Sequence, residues 1–125
     1  MDDRDVWIVD PDGTDLIRVT GAGASETHPA WISNTRLVIA RGEVASSPLD
    51  LYLVNTDGTN LVRLTSDPGT ESWPHPSPDR RWVIFWTGGN SSLSSLSIVR
   101  IDGLGPFGVA TATSGQLFPS WGPEP

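Results

Sequence analysis

The side chains of this chain that could do chemistry are concentrated in two similar stretches. ETHPAWIS contains Glu26 and His28, and ESWPHPSPD contains Glu71, Trp73 and His75. The sequence has only these two histidines, and each flanks a proline. A protein metal site needs three or four converging ligands, which these stretches do not supply by spacing alone. We therefore predict ligand-binding candidates here, and no metal, cofactor or catalytic residue.

The overall composition excludes several classes of function. The sequence has no cysteine, and its 8 basic residues are all arginines, which removes thiol catalysis, Schiff-base lysines and the lysine of phosphate loops. A Gly-x-Ser-x-Gly nucleophile motif is also absent from the sequence. The formal net charge of -7 argues against nucleic acids and anionic membranes, and no apolar run is long enough to cross a membrane. We expect a protein that is not an enzyme, does not bind nucleic acid and does not insert into membranes.

The elements that must position these side chains are set by an internal repeat. When the sequence is shifted by 45 residues, DVWIVDPDGTDLIRVT lies over DLYLVNTDGTNLVRLT, and the match continues without a gap through Val38/Val83 and Ile39/Ile84. A third copy begins near Leu96. The copies cover approximately 5–49, 50–94 and 95–125, within a single domain of residues 1–125.

Each copy of the repeat predicts strands and tight turns. Apolar runs such as VWIVD and LYLVN are rich in β-branched and aromatic residues, and an Asp-Gly pair separates each from the next run, which is typical of a hairpin. Trp7, Trp82 and Trp86 lie in these runs and are predicted to be core. Four strands in each copy, with no helix, predict an all-β protein built from four-stranded antiparallel β-propeller blades.

The repeat resembles that of the TolB-type (WD40-like) β-propeller family. LYLVNTDGTNLVRLT and PHPSPDRRWVIFW carry the resemblance, which covers nearly the whole chain. In that family the Pro-Trp segment is the innermost strand of a blade, A, and the other runs are B, C and D toward the rim. The resemblance implies the order C-D, A-B-C-D, A-B-C-D and a final A, which is about two complete blades and two partial ones.

Such a partial propeller cannot close a ring alone. Either the chain is a fragment of a longer one, or a homodimer completes a ring of about six blades, the final A of one copy joining the unfinished blade of the other. The family resemblance also implies a periplasmic or other extracytoplasmic location, on which the sequence itself is silent.

A residue that recurs in every copy is interpreted as structural, and one that varies beside the central channel as a functional candidate. Arg18 and Arg63 recur and are predicted to pair with a carboxylate on the adjacent blade. The channel-side candidates for ligand binding are Glu26, His28, Glu71, Trp73, His75 and Gln116.

The first functional hypothesis is a non-enzymatic TolB-like module that binds a protein or peptide. The alternatives are the substrate-gating propeller of a prolyl oligopeptidase-type peptidase, and a propeller-type carbohydrate binder or lyase. Fold alone does not decide among them.

Overall fold

The computed structural model describes residues 4–21, 23–44, 46–88, 94–112 and 119–123, which form three antiparallel sheets. The front sheet pairs β1 (Trp7–Ile8) with β2 (Ile17–Arg18). The middle sheet has the order β3 (Ser25–Ser33), β4 (Arg36–Gly42), β5 (Asp50–Asn55) and β6 (Val62–Arg63). The rear sheet contains β7 (Thr70–Pro76), β8 (Trp82–Gly88), β9 (Ser94–Arg100) and β10 (Phe107–Ala112), also in chain order. Within these described ranges every regular element is a strand, and no helix could span a membrane.

The Asp-Gly pairs form the predicted tight turns. Gly13, Gly58 and Gly103 have φ angles of 85°, 83° and 93°, a left-handed conformation that glycine adopts without steric cost. In the first turn Asp12 Oδ1 accepts hydrogen bonds from the backbone N–H of Thr14 at 2.9 Å and from its hydroxyl at 2.7 Å. The second turn repeats this arrangement. The predicted hairpins are confirmed.

The hydrophobic core consists of two layers, one on each face of the middle sheet. Leu37 and Ile39 face the front sheet, whereas Val38 and Ala40, on the same strand β4, face the rear sheet. Successive side chains of a strand point to opposite faces, so this short apolar run packs against both neighbouring sheets. Sheets stacked face to face in chain order are the arrangement that the repeat predicts.

The strand β8 departs from the ungapped repeat by one residue. Ala30 pairs with Val38 in the middle sheet, and its equivalent His75 pairs with Ile84 in the rear sheet. Val38 is therefore equivalent to Ile84, and the predicted Val38/Val83 and Ile39/Ile84 equivalences are wrong. The reason is the turn before β8, which is one residue longer than the turn before β4.

Trp7 is not core, contrary to the prediction. Its side chain is 52% exposed, whereas the equivalent Tyr52 is 8% exposed. Tyr52 is covered because its face of the middle sheet packs on the front sheet. Among the described residues no further sheet packs on the corresponding face of the front sheet, so Trp7 stays exposed there beside the Arg18 guanidinium, which lies 5.9 Å from its ring centroid.

The final A strand is not seen among the described residues. Gln116 and most of the predicted strand lie outside them, and residues 119–123 form no strand. Trp121 nevertheless contacts the rear sheet, because its Nε1 donates a hydrogen bond of 2.6 Å to the carbonyl oxygen of His75 on β7.

Candidate functional site

Glu26 lies at the junction between the front and middle sheets. Its backbone N–H donates to the carbonyl of Arg4 at 2.8 Å, and its Oε2 accepts a hydrogen bond from the Thr20 hydroxyl at 3.2 Å. The same hydroxyl oxygen accepts the N–H of Val6 at 2.9 Å. The buried side chain also pairs with Arg41, whose Nη1 is 2.5 Å from Glu26 Oε1. Glu26 therefore joins two sheets.

Glu71 occupies the equivalent position at the junction between the middle and rear sheets. Its N–H donates to the carbonyl of Leu49 at 2.7 Å, and its Oε2 accepts a hydrogen bond from the Thr65 hydroxyl. That hydroxyl oxygen in turn accepts the N–H of Leu51 at 2.9 Å. Because both glutamates are buried in these repeated junctions, we assign them to sheet packing rather than to an open channel wall.

The two junctions differ in their charge. The position equivalent to Arg41 is Thr87 when β8 is aligned by its pairing, and threonine cannot supply a cation. Burial is the largest of the effects that raise the pKa of Glu71 to about 8; the hydrogen bond from Thr65 opposes it, and the nearby carboxylates of Asp67 and Asp50 add to it. Burial also raises the pKa of Glu26, but Arg41 opposes this effect. Glu71 is thus a protonated acid at neutral pH.

His28 and Trp73 form the most distinctive surface of the chain. They occupy equivalent positions, each at a bulge in the first strand of its sheet and each followed by a proline. Their rings stack across the sheet junction with centroids 4.1 Å apart and an interplanar angle of 42°. Trp73 is 36% exposed. We call these two side chains the stacked pair.

The backbone at the stacked pair is in a strained conformation. His28 has φ 50° and Trp73 has φ 55°, the left-handed region that costs non-glycine residues about 1 to 2 kcal/mol. Burial lowers the pKa of His28, and the charge of Arg4 lowers it further, so its imidazole is neutral at pH 7. His28 Nδ1 is buried, and no described residue forms a hydrogen bond to it. The bulge is repeated, whereas the side chain it presents changes from histidine to tryptophan.

The remaining sequence candidates do not converge with the stacked pair into a metal site. The His75 side chain is exposed on β7, and Gln116 lies outside the described residues. Over the described ranges no group of three or more His, Cys, Asp or Glu side chains could hold a metal ion. Binding of a ligand by His75 or Gln116 stays a prediction.

The repeated arginines are structural, as predicted, but their partners are not those predicted. Arg18 Nη2 lies 2.5 Å from Asp5 Oδ2, and Arg63 Nη2 lies 2.5 Å from Asp50 Oδ2. Neither pair joins adjacent blades: Asp5 lies just before β1 and pairs within the front sheet, and Asp50 on β5 pairs with the neighbouring strand β6. The aspartate at the start of each copy recurs together with its arginine, and this joint recurrence was the signal for the pairing.

A second group of arginines was missed by the sequence reasoning. Arg36, Arg80, Arg81 and Arg100 line an open pocket of about 330 Å³ together with Ile101 and Asp102. We call this the arginine pocket. In the ungapped 45-residue frame Arg36 lies over Arg81, so the sequence repeat did not distinguish this group, whereas the strand pairing makes Arg36 equivalent to Trp82 and Arg100 equivalent to Asn55.

Comparison with known proteins supports the fold. A candidate TolB from Agrobacterium tumefaciens superposes with a TM-score of 0.79 and 18% sequence identity over 90% of this chain. The match covers 43% of that protein, so this chain spans less than half of its length. No family model and no curated protein matches the sequence. The likeness shows an all-β, TolB-like partial propeller, in which the stacked sheets are blades.

Proposed function

We propose that this chain is a propeller module that binds a protein or peptide at the stacked pair. The observation that supports this most is that His28 and Trp73 are held on strained bulges in adjacent blades. The bulge itself recurs and is therefore part of the blade, but its side chain varies between copies. Trp73 is exposed and His28 half-buried, and an aromatic pair held on such bulges offers contact area at a small cost in side-chain entropy, which suits it to recognition of apolar or proline-containing peptide segments.

The test starts from peptides selected on the wild-type protein from a random phage-displayed library. Their affinity is then measured by fluorescence polarisation for Trp73→Asn and His28→Asn, because asparagine tolerates the left-handed backbone and preserves the bulge. Val62→Asn, on the exposed strand β6, is the matched control. We expect the two test variants to bind about tenfold more weakly and the control to bind like the wild type.

This function would be rejected if no peptide is selected, or if the selected peptides bind both variants as tightly as they bind the wild type. A glycan array run in parallel addresses the carbohydrate alternative. The carbohydrate alternative would replace the proposal if a sugar binds the wild type, binds Trp73→Asn more weakly, and no peptide is selected.

The same proposal includes a homodimer that completes the ring. The outer face of the front sheet, away from the middle sheet, carries Trp7 and Val9, which are 52% and 51% exposed. The equivalents of Val9 in the other sheets, Val54 and Val99, are 1% and 0% exposed, because a preceding sheet packs on each. The front sheet is thus apolar where a further blade would pack.

The opposite end of the stack offers the matching surface. Ile84, Trp86, Leu96 and Ile98 are only partly buried, whereas the equivalent residues of the middle sheet are buried by the rear sheet. The front face of one copy and the rear face of another are therefore equivalents of two faces that already pack together within each chain. This complementarity supports a second copy as the occupant, and two such contacts would close a ring.

Sedimentation velocity tests the dimer. Trp7→Glu and Val9→Glu place a charge in the proposed contact and should yield a folded monomer, whereas Val44→Glu, an exposed residue outside both faces, should leave the dimer intact. If neither front-face variant lowers the mass of a dimeric wild type, the contact lies elsewhere.

A further inference from the structure

The arginine pocket is built where two blades and two turns meet. Arg36 begins β4 in the middle sheet, Arg80 and Arg81 lie in the turn between β7 and β8, and Arg100 ends β9. A hydrogen bond of 2.9 Å from the N–H of Ile101 to the carbonyl of Arg81 fixes the two rear-sheet turns to each other. The pocket therefore has a backbone framework, although the arginine side chains reach it from separate elements.

In the folded chain these arginines do not occupy equivalent positions of the blades. The pairing of the strands makes Arg36 equivalent to Trp82 and Arg100 equivalent to Asn55. Arg80 and Arg81 belong to the turn that is one residue longer in the rear sheet, and Arg80 has a φ of 62°. Arg18 and Arg63, in contrast, recur at equivalent positions, and each forms an ion pair within its own blade. Blade architecture does not require the pocket arginines, so they call for another explanation.

The pocket also has an excess of positive charge in an acidic protein. Among the described residues, Arg36, Arg80 and Arg81 form no side-chain ion pair within 4.0 Å, and Arg100 pairs only with the exposed Asp102 at 2.7 Å. Four guanidinium groups repel one another unless anions intervene. The chain as a whole has a net charge of -7, yet four of its 8 arginines line this one pocket.

We propose that the arginine pocket binds the carboxylates of an acidic peptide segment. Guanidinium groups form paired, charge-assisted hydrogen bonds with carboxylates, and the four that line this pocket come from separate elements of two sheets. Asp102 lies within the lining and opposes a compact dianion such as phosphate. An acidic peptide presents several separate carboxylates, which suits guanidinium groups that reach the pocket from separate elements. The site is separate from the stacked pair and does not depend on peptide binding there.

The probe is a fluorescein-labelled hexaglutamate peptide, with hexaglutamine as the uncharged comparison, measured by fluorescence polarisation at about 50 mM salt. We expect hexaglutamate alone to bind, and to bind more weakly as salt is raised. The double variant Arg80→Gln/Arg81→Gln should weaken this binding by about tenfold, and Arg36→Gln should weaken it in the same direction.

The control is Arg18→Gln/Arg63→Gln. It also removes two positive charges, but from exposed ion pairs outside the pocket. It should retain most of the wild-type affinity once circular dichroism shows that it is folded. Equal losses in both double variants would mean that net charge alone determines binding. Absence of hexaglutamate binding, or tighter binding of inorganic phosphate than of hexaglutamate, would likewise overturn the proposal.

Discussion

Glu71 accepts a hydrogen bond from Thr65 across the junction between the middle and rear blades, where no arginine of the described chain lies within ion-pair distance of it. At the equivalent junction Glu26 is held by the same kind of threonine contact and also by Arg41. The two junctions form a natural comparison, because their hydrogen bonds match and their charges do not.

The lone glutamate should make stability depend on pH. The folded protein keeps a proton on Glu71 up to a pKa of about 8, whereas the unfolded chain releases it near the ordinary value of 4.5. The unfolded state therefore binds fewer protons between these values, and the contribution of Glu71 to the free energy of unfolding falls as the pH rises through that window. Below it the contribution is constant.

Glu71→Gln replaces the acid by a neutral side chain of similar shape and should remove this dependence. We expect the variant to exceed the wild type in the free energy of unfolding by about 1 to 3 kcal/mol at pH 8.5, with little gain at pH 4. Urea unfolding at the two pH values measures the difference. A gain that is the same at both would show that Glu71 is not the titrating group.

Arg41→Gln should convert the first junction into a copy of the second. Removing one partner of a buried ion pair leaves the other charge uncompensated, so we expect a loss of about 3 kcal/mol at pH 8. The loss should be smaller at pH 5, where Glu26 can take up a proton. Arg63→Gln breaks an exposed pair and should cost less than about 1 kcal/mol, which makes it the control for chemical denaturation.

The reciprocal change is Thr87→Arg, which places a cation at the position equivalent to Arg41. If the missing cation causes the high pKa of Glu71, this variant should lower that pKa and flatten the pH dependence of unfolding between pH 5 and 8.5. The carboxyl pKa can be followed by NMR titration. A pKa that stays near 8 would indicate that burial alone controls it.

Two glycines at equivalent turns provide a test of how closely the front and middle blades approach. A Cβ on Gly58 would lie 2.7 Å from the carbonyl oxygen of Val19, whereas a Cβ on Gly13 would meet nothing within 4 Å. Both have left-handed φ angles, so Gly13→Ala measures the conformational cost alone, about 1 kcal/mol. Gly58→Ala should cost at least about twice as much in thermal or urea unfolding. Equal costs would contradict the close contact between these blades.

The sequence predicted the parts of this fold that depend on local chemistry. Asp-Gly turns and β-branched runs carry their own conformational preferences, and the recurrence of Arg18 and Arg63 correctly indicated a structural role. The partners Asp5 and Asp50 were missed because an arginine on a strand reaches several carboxylates, and spacing does not choose among them. The shifted register of β8 was missed because Val38/Val83 and Ile39/Ile84 are identical in the ungapped alignment. That alignment therefore gives no sign of the extra residue in the turn before β8.

The candidate site was less predictable, because it depends on burial and backbone conformation. The residue types do not predict the positive φ angles of His28 and Trp73, because residues other than glycine adopt such angles uncommonly. The glutamates lie near the same prolines in sequence, yet strand alternation places them inside the junctions. Trp7 was predicted to be core from its apolar neighbours, but its exposure depends on whether a further blade covers it.

The mass of the wild-type protein in solution, measured by light scattering over a range of concentrations, tests the central claim that these blades form an incomplete ring completed by a second copy. The account predicts a mass twice the 13.4 kDa of one chain. A soluble, well-folded species that stays at 13.4 kDa across the concentration range would contradict it.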